Sequence, residues 1–279
     1  MAEITAAKVQ ELRKATDLPM MDCKKALVEA EGDTDRAMEL LRERNRKKLA
    51  GRSNNETGEG QVFVKVSDDG KTAAMVEIVC ESAPVGSGEH LSNFGQKLVE
   101  HLYANPGIET VEQLMAATPE GGSESFQAEF DEMVGKIREK IVVNRIVRLE
   151  NEGHIGSYTH HDKKTGVLFL AEGETEDVSV LRDVAMHIAA LRPGVVQPEE
   201  LDESVVSAER TRLSDEAKAS GKPDNVVEKI VDGQMKKFYE TSGVLTYQPF
   251  AKDDSKSVSQ ALQEKGFKAV RFERFTVGQ

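Results

Sequence analysis

Along the chain, stretches in which apolar residues recur every three or four positions alternate with stretches in which they recur every second one. These two periods predict helices and strands respectively. Residues 5 to 47 carry only the helical period. Val9 and Leu12 mark a first helix that Thr5 can cap, and "TDLP" interrupts it. "EGD", with Asp33 as N-cap, then separates a second helix from a third carrying Ala37, Leu40 and Leu41. On the second helix, Cys23, Ala26, Leu27 and Ala30 fall within one arc of about 100°, which makes that arc the core stripe of the block. Met20 lies at its edge. Met21 lies nearly opposite, beside Val28 and Lys24 and just after a proline-containing turn.

"GRSNNETGEG", residues 51 to 60, reads as a polar, glycine-rich linker. "QVFVKVSDDGKTAAMVEIVC" then predicts a hairpin around Asp68-Asp69-Gly70, with Gly70 at the position that wants positive φ. Leu91, Phe94, Leu98 and Leu102 follow on helical spacing. Residues 104 to 124 read as loop, and a long helix is expected near 125 to 144 from Phe126, Phe130, Val134, Ile137 and Ile141. The order then recurs in outline, which suggests an internal duplication. "GHIGSYTHHDKKTGVLFLAEG" predicts a second hairpin, and Val178, Leu181, Ala185 and Ile188 a helix stopped by Arg192-Pro193.

Between 199 and 240, two polar helices joined by "SGKPD" carry Val206, Leu213 and Ala217, then Val227, Ile230, Val231 and Phe238. That is enough for an antiparallel hairpin standing partly clear of the body. The chain closes with a short helix, a glycine stop and a strand expected to join the second lobe's sheet. The fold class is α+β. The expected domains are a three-helix block at 1–50, a linker at 51–60 and core lobes at 61–152 and 153–279. The second lobe holds the hairpin 199–240 and a helix-strand segment at 253–277.

Composition narrows the function. With 38% hydrophobic and 31% charged residues the chain has the makeup of a soluble globular protein, and no run approaches the roughly 20 apolar residues of a membrane span. The N-terminus lacks the features of a signal peptide, so a cytoplasmic location is expected. A net charge of -12 argues against a nucleic-acid surface. The one dense basic run, "RERNRKKLAGR" at 42–52, reads as a solvated helix end. Cys23 and Cys80 read as reduced core residues.

No GxxxxGK[ST], GxSxG, HExxH or GxGxxG occurs, and the 49 carboxylates include no isolated pair in an apolar setting. His154, His160 and His161 do not read as a metal site, because neighbours on a strand point to opposite faces. Neither an enzyme nor a cofactor is called for. Met21 is left with two readings: an outward residue of no further meaning, or an adaptable surface for a partner.

The segment "LRKATDLPMMDCKKALVEAEGDTDRAMELLR" resembles the N-terminal signature of the bacterial elongation factor Ts family, in which glycine-alanine-glycine usually stands at Asp17, Leu18 and Pro19. The likeness continues through "GSYTHH", "GVL", "VAMHIAALRP", "SGKPDNVVEKIVDGQMKKFY" and "LTYQPF", and is weakest from 104 to 124. The resemblance implies a non-enzymatic guanine-nucleotide exchange factor whose partner is elongation factor Tu and which binds no nucleotide itself. It implies a ubiquitin-associated-like N-terminal block, a two-lobed core and an inserted coiled-coil hairpin, and leaves open whether that hairpin mediates homodimerisation. Carried over position by position, the partner contacts fall on Arg13, Met20 and Met21, on the core tip at Ser82, Ala83, Pro84 and Val85, on Ile137, which here is followed by Arg138 instead of the family glycine, and on His160.

The tip departs from the pattern. Where the family has threonine-aspartate-phenylalanine-valine, this chain has Ser82, Ala83, Pro84 and Val85. The family's aspartate and phenylalanine wedge into the partner beside its magnesium site, and Ala83 and Pro84 supply neither carboxylate nor ring. The resemblance therefore leaves a smaller apolar plug, a matching change in the partner, or reliance on other contacts as readings. An exchange-deficient paralogue that only binds protein is the alternative.

Overall fold

The structure is a computed structural model that describes residues 4–16, 18–173, 175, 177–219, 221 and 223–279, with the backbone alone at 45, 46 and 48–50. The chain divides into two compact units. One comprises Met1–Phe63, Val76–Ile146 and Val277–Gln279, and the other Val64–Met75 and Val147–Thr276.

The first unit opens with α1 (Ala6–Thr16), α2 (Met20–Glu29) and α3 (Thr34–Ala50). The expected caps form: Thr5 Oγ1 accepts the Lys8 N–H at 3.3 Å and Asp33 Oδ1 the Arg36 N–H at 3.0 Å. Val9, Leu12, Cys23, Ala26, Leu27, Ala30, Ala37 and Leu41 close a small core. Leu18, within the interruption, joins that core, and Pro19 leads into α2. Asp17 lies outside the described residues.

β1 (Glu59–Val66) starts inside the expected linker and pairs with β2 (Thr72–Cys80). Their turn is closed by the Ser67 N–H to the Thr72 carbonyl at 2.8 Å, with Gly70 at φ 67° as its spacing demanded. After a single helical turn α4 (Ala83–Gly86) come α5 (Glu89–Ala104), α6 (Val111–Ala116), α7 (Phe126–Ile137) and β3 (Ile141–Glu150), giving a sheet in the order β1-β2-β3. As expected, α5 buries Leu91, Phe94, Leu98 and Leu102.

Two expectations are corrected here. The stretch 104–124 contains α6, fixed by a capping box between Thr110 and Gln113 with Leu114 and Met115 buried; six residues are too few to show a period. The long helix ends at Ile137, where Arg138 turns left-handed (φ 63°) and its N–H reaches the Val134 carbonyl at 2.8 Å. Ile141 opens β3 instead. The β-branched run Ile141-Val142-Val143 favours a strand, and Ile141 matched the helical period only by falling four residues after Ile137.

The second unit contains β4 (His154–Thr159), β5 (Thr165–Glu172), α8 (Ser179–Leu191), α9 (Glu203–Ala219), α10 (Asp224–Thr241), β6 (Pro249–Phe250), β7 (Asp253–Ser257), α11 (Val258–Gln263) and β8 (Lys268–Thr276). Its main sheet runs β4-β5-β8, antiparallel, so the closing strand joins this sheet as expected. The segment from 253 opens with one more strand than its sequence indicated, β7, paired to β6. Leu181, Ala185 and Ile188 of α8 pack on Val167, Phe169 and Ala171 of β5. Val178, expected on that buried face, precedes the helix and is exposed.

Leu213, Ala217, Val227, Val231 and Met235 form the seam of the α9–α10 hairpin, flanked by Val206, Ile230 and Phe238. Ser220 and Lys222 of its connection lie outside the described residues. In both main sheets the second strand of a hairpin takes a third strand from later in the chain. Among the described residues no helix is long and apolar enough to cross a membrane.

His187 on α8 is buried. Its Nδ1 accepts the Ala251 N–H at 3.1 Å, which leaves Nε2 to donate to Gln248 Oε1 at 2.9 Å in a neutral ring. Burial lowers its pKa from the ordinary 6.5, opposed by the Gln248 bond. The unfolded chain therefore takes up this proton first: the contribution is complete above about pH 6.5 and declines as pH falls towards the folded-state value. We expect the urea midpoint to drop between pH 7.5 and 5.5 and His187→Gln to reduce that drop, with His101, also lowered by burial, keeping a remainder. An unchanged pH slope in the variant would contradict this assignment.

Candidate partner-binding site

On α2 the side away from the core stripe carries exposed apolar residues. Met20 is 49% and Met21 60% exposed, and Val28, two turns further on, is exposed too. Arg13 on α1 is also exposed. Within the basic run, Arg44 pairs with Glu29, Lys47 with Glu43 and Arg52 with Glu81. The side chains of Arg46 and Lys48 lie outside the described residues.

The tip follows β2 directly. Residues 83–86 form the turn α4, closed by the Gly86 N–H to the Ser82 carbonyl at 2.9 Å. Pro84 fits because the first helical turn needs no amide hydrogen there. Ala83 and Pro84 face solvent and Val85 is half-buried.

Both ends of the turn are anchored. Ser82 Oγ donates to Glu139 Oε1 at 2.8 Å, and Gln61 Nε2 donates to the Gly86 carbonyl at 2.6 Å. Gly86 is required, because a Cβ there would stand 2.9 Å from the Gly60 nitrogen.

The Ser82–Glu139 bond sets the tip beside the corner after α7, which carries Ile137, half-buried, and Arg138. Glu81 reinforces the link. Its Oε1 accepts the Lys140 N–H at 2.6 Å, and its Oε2 accepts Arg52 Nη1 at 2.9 Å and Asn55 Nδ2 at 2.8 Å. These donors, the Lys140 amide first, hold the carboxyl below the ordinary carboxylate range.

His160 belongs to the second unit. β4 ends at Thr159, so His160 and His161 sit in the turn, where strand alternation does not apply; their ring centroids are 4.3 Å apart. The expected geometric reason against a shared ion is thereby corrected. His160 Nδ1 bonds the Tyr158 hydroxyl at 2.9 Å, while His154 packs edge-on against Phe267. No group of three or more His, Cys, Asp or Glu that could hold a metal occurs among the described residues. Cys23 and Cys80 are free and buried, as expected.

Sequence reasoning passed over Glu77, which is fully buried on β2. Arg145 grips it with two bonds, Nε at 2.8 Å and Nη2 at 2.9 Å, and Asn144 Nδ2 adds a third at 2.6 Å. The signal was a single carboxylate inside the apolar run "TAAMVEIVC".

A family model described as "Elongation factor TS" matches residues 84–279. Over the full chain, "Elongation factor Ts" of Thiobacillus denitrificans is 39% identical across 281 residues, covering 100% of this chain and 93% of its own length. The protein of the same name from Hyphomonas neptunium is 39% identical with the same coverage, and that from Methylococcus capsulatus is 39% identical over 99% of this chain and 92% of its own. All of these are named as elongation factors. The chain belongs to the elongation factor Ts family.

The exposure of the α2 methionines separates surface from core by experiment. Met21→Ala should leave stability within about 0.5 kcal/mol of wild type, whereas Leu27→Ala, fully buried, should cost about 2–5 kcal/mol. Equal costs in urea titrations would mean that Met21 packs inside the protein.

Proposed function

We propose that the chain is a guanine-nucleotide exchange factor for elongation factor Tu: a non-enzymatic partner that binds the GDP form and promotes GDP release so that GTP can enter. The observation that carries this reading is the solvent-facing Ala83-Pro84 turn, anchored at both ends, in a chain of the elongation factor Ts family. A short apolar projection held in a fixed orientation can displace groups of a partner without spending its own ordering entropy on binding.

Exchange requires tighter binding to the nucleotide-free partner than to the loaded one. Linkage then obliges nucleotide to weaken the factor's hold by the same coupling free energy. A grip at separate points serves this. Arg13, Met20 and Met21 of a ubiquitin-associated-like block at 1–50 hold one part of the partner. Ser82, Ala83, Pro84, Val85 and Ile137 of the first core lobe (61–152) and His160 of the second (153–279) act nearer the nucleotide. The linker 51–60 joins block and core. Ala83 and Pro84 stand where the family has its acid and ring, and Pro84 with Val85 forms a smaller rigid plug, since proline fixes φ. The work is done in the cytoplasm.

The test is release of a fluorescent GDP analogue from cognate elongation factor Tu. Wild type should accelerate it, and Met21→Ala and Pro84→Ala should each lower the apparent second-order constant by roughly tenfold, the size of one lost interface anchor. Binding without acceleration by wild type would overturn the reading in favour of the exchange-deficient paralogue.

A further inference from the structure

We infer that Glu81 is a positioning residue for the tip, one carboxylate that locks the linker, the tip and the corner after α7 into a single arrangement. The inference rests on the exchange reading above and names the residue that keeps that reading's tip in working orientation.

α4 is a single turn, far below the length at which a helix holds itself, so its direction comes from its anchors. Glu81 is the residue just before the tip, and it collects donors from distant segments: Arg52 and Asn55 of the linker and the backbone of Lys140 in the corner. The same segments are cross-tied once more, because Lys140 Nζ donates to the carbonyls of Ser53 and Asn55 at 2.6 and 2.8 Å. With Ser82 bonded to Glu139, two successive side chains fix the entry of the turn to two successive residues of the corner.

The corner itself is held away from its local optimum. Arg138 takes a left-handed conformation that L side chains rarely adopt. The buried side-chain atoms without a hydrogen-bond partner among the described residues are Arg138 Nε and Glu139 Oε2, adjacent residues of this corner. Strain and unpaired polar atoms persist where surrounding contacts over-determine the geometry. Here the Glu81 and Ser82 bonds are the contacts that do so.

The test measures GDP-analogue release from elongation factor Tu against factor concentration, separating the maximal rate from the half-saturating concentration. Glu81→Ala should lower the maximal rate by about tenfold while moving the half-saturating concentration less than about threefold, because the α2 surface still binds. Glu81→Gln, which retains an acceptor for the Lys140 N–H, should recover at least about half of the rate. Arg52→Ala, which removes one partly exposed partner of the carboxylate, should fall between them and keeps the test valid if Glu81→Ala does not fold. An unchanged maximal rate in Glu81→Ala, or a rise only in the half-saturating concentration, overturns the inference while the exchange reading stands. No acceleration by wild type overturns both.

Discussion

A carboxylate removed from water must be paired or its burial costs several kcal/mol, and in this chain that constraint falls on Glu77 in the middle of β2. Its partners, Asn144 and Arg145, lie on β3, and just past the end of β2 Glu81 accepts the backbone N–H of Lys140, the residue before β3. The partners descend as β2 ascends, so the two strands run in opposite directions, and their register is tied by a buried ion pair at one point and by a backbone hydrogen bond to a carboxylate at the other. β2 runs straight into the tip and β3 starts straight after the corner. Fixing one register therefore fixes where Pro84 stands relative to Ile137. A slip of one residue would carry Glu77 away from Asn144 and Arg145 and strand its charge in a strand that is buried on both faces.

On that frame, each element spends its apolar residues inward until none are needed. The three-helix block fills its core from one stripe of α2, and Met20, Met21 and Val28 are surplus to it. The tip has no interior to fill, and the hydrogen bonds at its two ends replace packing as the source of order. On the proposed reading an exchange factor uses this combination, with adaptable contact on the helical block for binding energy and a rigid tip for distortion. The energy is limited by linkage: whatever the tip does to loosen nucleotide, nucleotide does in return to the complex.

Much of this was legible in the sequence, for reasons that can be named. Long periodic segments such as α5 and the second helix of the block declared both their type and their buried face, and the outward position of Met21 followed from a rotation of 100° per residue. Failures came where local signals conflict. Ile137 and Ile141 share a helical spacing although a left-handed Arg138 separates them, and nothing in an arginine announces positive φ. The shortness of α6 hid its period. Of the site, the residues could be carried over from a family pattern, but the bonds from Glu81 and Ser82 to Lys140 and Glu139 join positions almost sixty apart, which only the folded chain brings together.

Nucleotide exchange of the proposed kind is a thermodynamic coupling, and affinity is its plainest measure. Titrating the chain calorimetrically into elongation factor Tu, once free of nucleotide and once saturated with GDP, should show much tighter binding to the nucleotide-free form. The ratio should equal the factor by which the chain weakens GDP binding. Equal affinities for the two forms would rule out the proposed exchange, because a protein that does not discriminate between them cannot drive it.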